Sequence, residues 1–336
     1  MTTLFRTVLS CEVLAVFVMA AVSLARLVLK KAPKRLTIFL WLIVCLRLLV
    51  PVRLEAPVSL VPEPASVLSS EVEHISETGE LSSLSWSMEH PNVSSGTERA
   101  FTARQWGSLA FDLLPYLWVI GAAALFLAQL LKLYRLRKKL RDAVEISPGV
   151  YVSDKLSGAF VLGLFRPDIY LPEGLGEAQR RFVLLHERTH IKRLDHVWKL
   201  LAYFCLCLHW VDPLVWLCFA LFCRDVELAC DETVTAVLSG EERCDYAETL
   251  LRLSGQPPLF PLPAFSEPEP ATRIKRVLSW KKPAKIVCAA VLVLAVVLGI
   301  GLLVNPYPKD AIFGQRYVVN KLLHAAPQFD YGFPKT

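Results

Sequence analysis

The sequence predicts an α-helical membrane protein, in which four transmembrane helices carry an inserted cytosolic α+β domain. Three observations lead there. Apolar residues make up 54% of the chain and charged ones 20%, with a mean hydropathy of +0.43. Ordinary soluble domains are less apolar and carry about a quarter charged residues. Four apolar runs are long enough to cross a bilayer core, which takes roughly 20 apolar residues. Finally, lysines and arginines gather at particular ends of those runs, as they do at the cytosolic flanks of membrane spans.

The runs cover about 9–29, 36–52, 109–133 and 286–304. The last has no charged residue, whereas the second is the shortest and carries Arg47. A cleaved leader ending near Ser23-Leu24-Ala25 would account for the first run. The basic stretch and second apolar run that follow at once point instead to a retained hairpin. Lys30, Lys31, Lys34 and Arg35 fill the turn after the first run, and Lys132, Arg135, Arg137, Lys138, Lys139 and Arg141 leave the third. Arg273, Lys275, Arg276, Lys281, Lys282 and Lys285 enter the fourth. By contrast, 55–98 holds eight glutamates and no lysine or arginine.

The positive-inside rule then gives the organisation. Residues 1–54 hold spans one and two, 55–108 an extracytoplasmic loop, 109–133 the third span, 134–285 the cytosolic domain, 286–304 the fourth span and 305–336 an extracytoplasmic tail. The nine cysteines fall in the spans and the cytosolic segment alone, so no disulfide framework is expected. The net charge of +6 is explained by the flanks, and no recognition motif for nucleic acid accompanies it, so no direct nucleic-acid partner is expected.

Within 134–285 a basic helical extension gives way to short apolar pieces at 150–152, 159–163 and 169–171, separated by Ser-Pro-Gly, Ser-Gly and Arg-Pro-Asp. They read as a small β-sheet or hairpin. A helix follows from about Glu177. The apolar stretch 197–223 is interrupted by Asp212-Pro213, and each half has too few apolar residues to cross a bilayer, so buried or bilayer-apposed helices are expected there. A further helix is expected over 224–237, and 255–270 is Pro-rich and irregular.

The chemistry centres on His186-Glu187-Arg188-Thr189-His190. Residues four apart share a helix face, so His186 and His190 can offer imidazole nitrogens to one metal. Glu187, one step round, can take a proton from a water activated by that metal, the chemistry of a zinc peptidase. Phe182-Val183-Leu184-Leu185 predicts that this helix is buried, where three polar side chains are costly unless employed. For a third ligand, His196 lacks the helix-breaking glycine that would bring it round; Arg193 stands where that glycine is needed, and on an unbroken helix His196 points about 240° from His190. Glu227 is the better candidate, with Asp231 on the same face to accept the outer N–H of a ligand histidine. Cys230, between them, reads as facing elsewhere.

These residues, together with FVLGLFRPDIYLP, HERTHIKRLDHVWKLL, HWVDPLVW, RDVELACDE and RIKRVLSWKK in that order, resemble the BlaR/MecR-type membrane metallopeptidases, gluzincin-like signal transducers of β-lactam resistance, over about residues 1–304. The resemblance implies a gluzincin-like fold for 134–285, a Zn2+ site on His186, His190 and Glu227, and a catalytic Glu187. It also implies self-cleavage before the Arg-Ile-Lys-Arg stretch, expected between about Ala264 and Arg273 with Ala264–Phe265 as first choice. Well-known members carry a penicillin-binding sensor with a Ser-x-x-Lys nucleophile after the last span. Here about 32 residues follow 304 and contain no such motif, so that sensor is expected to be lacking.

The expected function is a membrane-embedded zinc metalloendopeptidase acting in transmembrane signalling. Its expected partners are the lipid bilayer, a cytosolic protein substrate such as a transcriptional repressor, and the chain itself; a homodimer is compatible with this. The alternatives are a housekeeping protease of membrane proteins of the Ste24/HtpX kind and a non-catalytic transducer with a structural metal. Glu187 argues against the latter, because a structural site needs no base and closes with a fourth ligand.

Overall fold

A computed structural model describes residues 2–49, 54–56, 97–253 and 270–306. Most of the outer loop, the Ala264–Phe265 bond and most of the C-terminal tail lie outside the described residues.

Helices dominate. The N-terminal hairpin is α1 (Thr2–Val28) and α2 (Lys34–Leu49), followed by strand β1 (Leu54–Ala56) and the long α3 (Thr97–Lys139). The basic extension expected after the third span is the C-terminal end of α3. Strands β2 (Val144–Ser147), β3 (Val150–Ser153), β4 (Phe160–Leu162) and β5 (Asp168–Pro172) come next. Helices α4 (Glu177–Lys192), α5 (Asp195–Leu208), α6 (Pro213–Thr235), α7 (Gly240–Arg252) and α8 (Pro270–Leu278) lead to α9 (Lys285–Leu303). Strand β6 (Val304–Pro306) then pairs in parallel with β1, Leu54 opposite Val304.

Among the described residues, two helices are long and apolar enough to cross a bilayer, α3 from Leu113 to Lys139 and α9. Over its described residues α1 offers a shorter apolar stretch, Leu14–Val28, and α2 has 16 residues. Helices α1, α2, α5, α6 and α9 nevertheless share one apolar core, with Val22, Leu40, Leu206, Phe219 and Ala295 among its buried members.

The sheet has four strands in the order β2-β3-β5-β4. The three expected pieces are β3, β4 and β5; β2 is an addition, and its exposed side chains give it no burial pattern to read. Strands β3 and β5 run parallel, Val150 opposite Ile169, and their buried faces meet Val183 of α4. The β4–β5 turn requires Gly163, whose φ is 123° and whose Cβ would stand 2.2 Å from the Arg166 carbonyl oxygen.

The stretch 197–223 folds as the α5–α6 hairpin, broken where Asp212 caps α6 by accepting from Leu214 N at 2.7 Å. The helix expected separately over 224–237 is instead the second half of α6. Nothing between Pro213 and Thr235 breaks the backbone, so the apolar and charged halves run as one rod. That rod is pinned to the N-terminal hairpin. Asp225, fully buried, accepts from Arg26 Nε at 2.6 Å and Nη2 at 3.0 Å and from Trp41 Nε1 at 3.1 Å, with Lys34 Nζ at 3.3 Å. Lys34, read from sequence as a membrane flank, is thus spent inside the protein.

Candidate metal centre

Helix α4 has one apolar face, from which Phe182 and Val183 enter two cores. One and two turns on, the same side of the helix presents His186 and His190, both 8% exposed. Their Nε2 atoms stand 3.1 Å apart. Helix α6 crosses α4 and delivers Glu227, whose Oε2 lies 3.6 Å from each of those nitrogens. Three donor atoms thus form a nearly equilateral triangle. A tetrahedral zinc with bonds of roughly 2.0–2.1 Å has ligand–ligand edges of about 3.3–3.4 Å, so the triangle and the donor types fit that ion. Glu187 is also buried, one residue from the first imidazole.

The outer nitrogens are engaged, which leaves Nε2 of each ring for a metal. His190 Nδ1 lies 2.7 Å from Asp195 Oδ2. His186 Nδ1 lies 2.9 Å from the Tyr246 hydroxyl, which donates to Asp231 Oδ1 at 2.8 Å. Sequence alone predicts that Asp231 accepts a histidine N–H directly. Its carboxylate is 3.5 Å from His186 Nδ1, and the Tyr246 hydroxyl mediates between them. Asp231 is held in turn by Arg273 of α8 through two parallel bonds, Nε to Oδ2 at 2.7 Å and Nη2 to Oδ1 at 2.8 Å. On the other flank, Lys199 Nζ donates to Glu227 Oε1 at 2.8 Å, leaving Oε2 toward the histidines.

Cys230 corrects the sequence reading. It is fully buried, with Sγ 3.6 Å from His186 Nδ1 and 3.5 Å from the His186 carbonyl oxygen. Three residues along a helix turn about 300°, which leaves Cys230 within about 60° of Glu227 rather than on another face. Among the described residues, His186, His190 and Cys230 also form a group whose ligand atoms lie within 4.8 Å of one another. The sulfur, however, approaches the Nδ1 side of His186, while Glu227 faces both Nε2 atoms.

His196 stays out of the centre, with Nε2 3.3 Å from the Leu164 carbonyl oxygen. The reason differs from the one expected, because the helix does break. Leu194 adopts a left-handed conformation, φ 57° and ψ 31°, without a glycine. The turn it makes brings Asp195, not His196, to His190.

The electrostatics match a cation site. Burial disfavours protonated imidazoles, but the Cys230 sulfur and the Glu227 carboxylate outweigh it, raising His186 to about 10 and His190 well above its usual value. Burial disfavours an ionised Glu227, yet Lys199 and His190 hold its carboxyl well below the usual range. Asp231 is likewise lowered against its burial by Arg273. Four contributors carry no signal in the sequence motif itself: Asp195, Lys199, Tyr246 and Arg273. Asp195 and Lys199 lie just after the motif, but Tyr246 and Arg273 reach it only through tertiary packing.

Comparison with known proteins gives the family. The BlaR1 peptidase M56 family matches residues 6–278. The regulatory protein BlaR1 of Bacillus licheniformis is 28% identical over 164 residues, 41% of this chain and 27% of that protein. The methicillin resistance mecR1 proteins of Staphylococcus aureus and Staphylococcus epidermidis are each 26% identical over 106 residues, 30% of this chain and 18% of theirs. The matched segment therefore spans about a quarter or less of each relative. The family match runs from the first helix to α8 and includes every residue of the centre, so the chain belongs to the BlaR1 peptidase M56 family.

Proposed function

We propose that this chain is an integral membrane zinc metalloendopeptidase that signals by cutting a cytosolic protein, such as a transcriptional repressor, and itself. The observation that carries the reading is the triangle of His186 Nε2, His190 Nε2 and Glu227 Oε2, beside the buried Glu187. His186, His190 and Glu227 would hold the zinc, which would supply a Lewis acid and lower the pKa of a water to about 7. Glu187 takes the proton of the attacking water on its carboxylate and hands it to the departing amide nitrogen. Asp195 and the Tyr246–Asp231 pair fix the tautomers and ring orientations of the two histidines, and Lys199 keeps Glu227 presenting a single oxygen.

The membrane reading takes α1, α2, α3 and α9 as spans, with the centre on the cytosolic side. Its support is that the basic ends cluster. The α1–α2 turn contacts α6 near Glu227 through Lys34 and Asp225, and Arg276 of α8 donates to the Lys30 carbonyl oxygen at 3.0 Å. One activity measurement tests the reading. Glu187→Gln keeps the size of the side chain and removes its basicity, and should lower proteolysis by about 10² to 10⁴ with the metal retained. Undiminished cleavage by zinc-loaded Glu187→Gln would reject the mechanism.

The grouping of Cys230 Sγ with His186 and His190, ligand atoms within 4.8 Å of one another, favours a second reading, a closed structural site of His186, His190, Glu227 and Cys230 without catalysis. Sulfur coordination distinguishes the two.

A further inference from the structure

We infer that α5 and α6 form a re-entrant hairpin whose outer face is covered by lipid acyl chains, so that the metal centre is anchored from inside the membrane. The inference rests on the reading of α3 as a span. Its first support is depth. Tyr203 Oη donates to the Leu125 carbonyl oxygen at 2.9 Å, near the middle of the apolar stretch Leu113–Lys139. At the hairpin tip, Trp118 Nε1 donates to Leu208 O at 2.7 Å and Trp210 Nε1 donates to Trp118 O at 3.1 Å. The seat is close: a Cβ on Gly121 would stand 2.3 Å from the Trp210 ring. From Lys132 to Trp118, α3 rises about 21 Å at 1.5 Å per residue, so the tip reaches well past the middle of a hydrocarbon core about 30 Å thick. The N-terminal hairpin gives the same depth independently, because His209 Nε2 donates at 3.1 Å to the carbonyl oxygen of Leu48, at the end of α2 remote from Lys34.

The second support is chemistry. No Asp, Glu, Lys or Arg occurs between Lys199 and Asp212, or between Asp212 and Arg224. Leu200, Phe204, Val211 and Leu217 point outward, 38% to 63% exposed. On α3, Leu117 and Ile120 are likewise exposed, 59% and 64%. The polar groups of the tip turn inward instead: His209 is 1% exposed and faces Glu12 of α1 at 3.9 Å, and Asp212 caps α6. Polar groups at membrane depth that face the bundle, with apolar groups facing out, are the arrangement lipid imposes. Acyl chains are therefore the occupant. A helix of 14 residues extends about 21 Å, too short to cross, and Asp212-Pro213 turns the chain back. The returning α6 then delivers Glu227 to the centre that α5 left at Asp195.

The test places a benzophenone photocrosslinking residue at Phe204, Val211, Ile120 or Phe165 of the full chain, reconstituted in phosphatidylcholine–phosphatidylglycerol vesicles. Phe165, 92% exposed in the β4–β5 turn, is the aqueous control. After irradiation, mass spectrometry should find phospholipid adducts at Phe204 and Val211 at a yield within about threefold of Ile120, and at least tenfold lower yield at Phe165. Lipid adducts at Ile120 without adducts at Phe204 and Val211 would overturn the hairpin and leave the spans standing. Crosslinks from Phe204 or Val211 to a second copy of the chain, or equal labelling of Phe165, would overturn it too. Absence of lipid adducts at all four positions would overturn the membrane reading with it.

Discussion

Replacing Arg273 with methionine removes the cation from a relay that ends on a proposed metal ligand. Arg273 makes two charge-assisted bonds to Asp231, whose side chain is 3% exposed. Leaving a buried carboxylate without its cation costs about 3–5 kcal/mol where nothing else compensates. Asp231 retains the Tyr246 hydroxyl, so about 2–3 kcal/mol is the expected loss of stability, the worth of hydrogen bonds to a charged group. The relay continues from Tyr246 to His186 Nδ1, and loss of such outer support typically lowers metal affinity about 10–100-fold. Zinc competition against a chromophoric chelator, on detergent-purified full-length protein, measures the second effect, and thermal unfolding the first. Asp231→Asn and the double variant complete a cycle. Residues in one network are non-additive, so the double variant should lose little more zinc affinity than Asp231→Asn alone. Zinc affinity within twofold of wild type in Arg273→Met, together with additive losses in the double variant, would refute the relay.

Asp225→Asn should lower unfolding stability by about 3–5 kcal/mol, because Arg26 and Lys34 lose their shared buried partner, whereas Asp142→Asn in the exposed pair with Lys155 should change nothing measurable; equal effects would contradict the assigned role of the buried cluster. Zinc affinity should fall on acidification. Histidines raised as His186 is, to about 10, stabilise the metal-free fold fully below their unfolded value of about 6.5 and lose that contribution as pH rises through the folded value. Zinc must displace those protons, so binding should release protons to buffer in calorimetry; affinity that rises on acidification would contradict this.

What was legible in the sequence was local. His186 and His190 share a face because a helix repeats every 3.6 residues, and Glu227 and Asp231 follow from the same geometry. Cys230 yields to that rule too, once three residues are counted as a turn short by about 60°. The left-handed Leu194 could not be read, because the usual sequence signal for that conformation is glycine or asparagine, and neither is present. Arg273 and Lys34 were legible only as basic flanks. The fold uses both internally, and the chain separation between Arg273 and Asp231, 42 residues, puts that pairing beyond any periodic pattern. Tyr246 lies on a separate helix 60 residues from His186, so its contact with that ring is set by tertiary packing.

A metal resting on two imidazoles and the Glu227 carboxylate, with a position open for chemistry, has a direct spectroscopic signature. Zinc K-edge X-ray absorption on the purified full-length protein tests it most directly. The account predicts a shell of nitrogen and oxygen neighbours alone at about 2.0–2.1 Å, reduced by one in Glu227→Ala and unchanged in Cys230→Ser. A sulfur neighbour at about 2.3 Å that vanishes in Cys230→Ser would contradict it and establish the closed structural site instead.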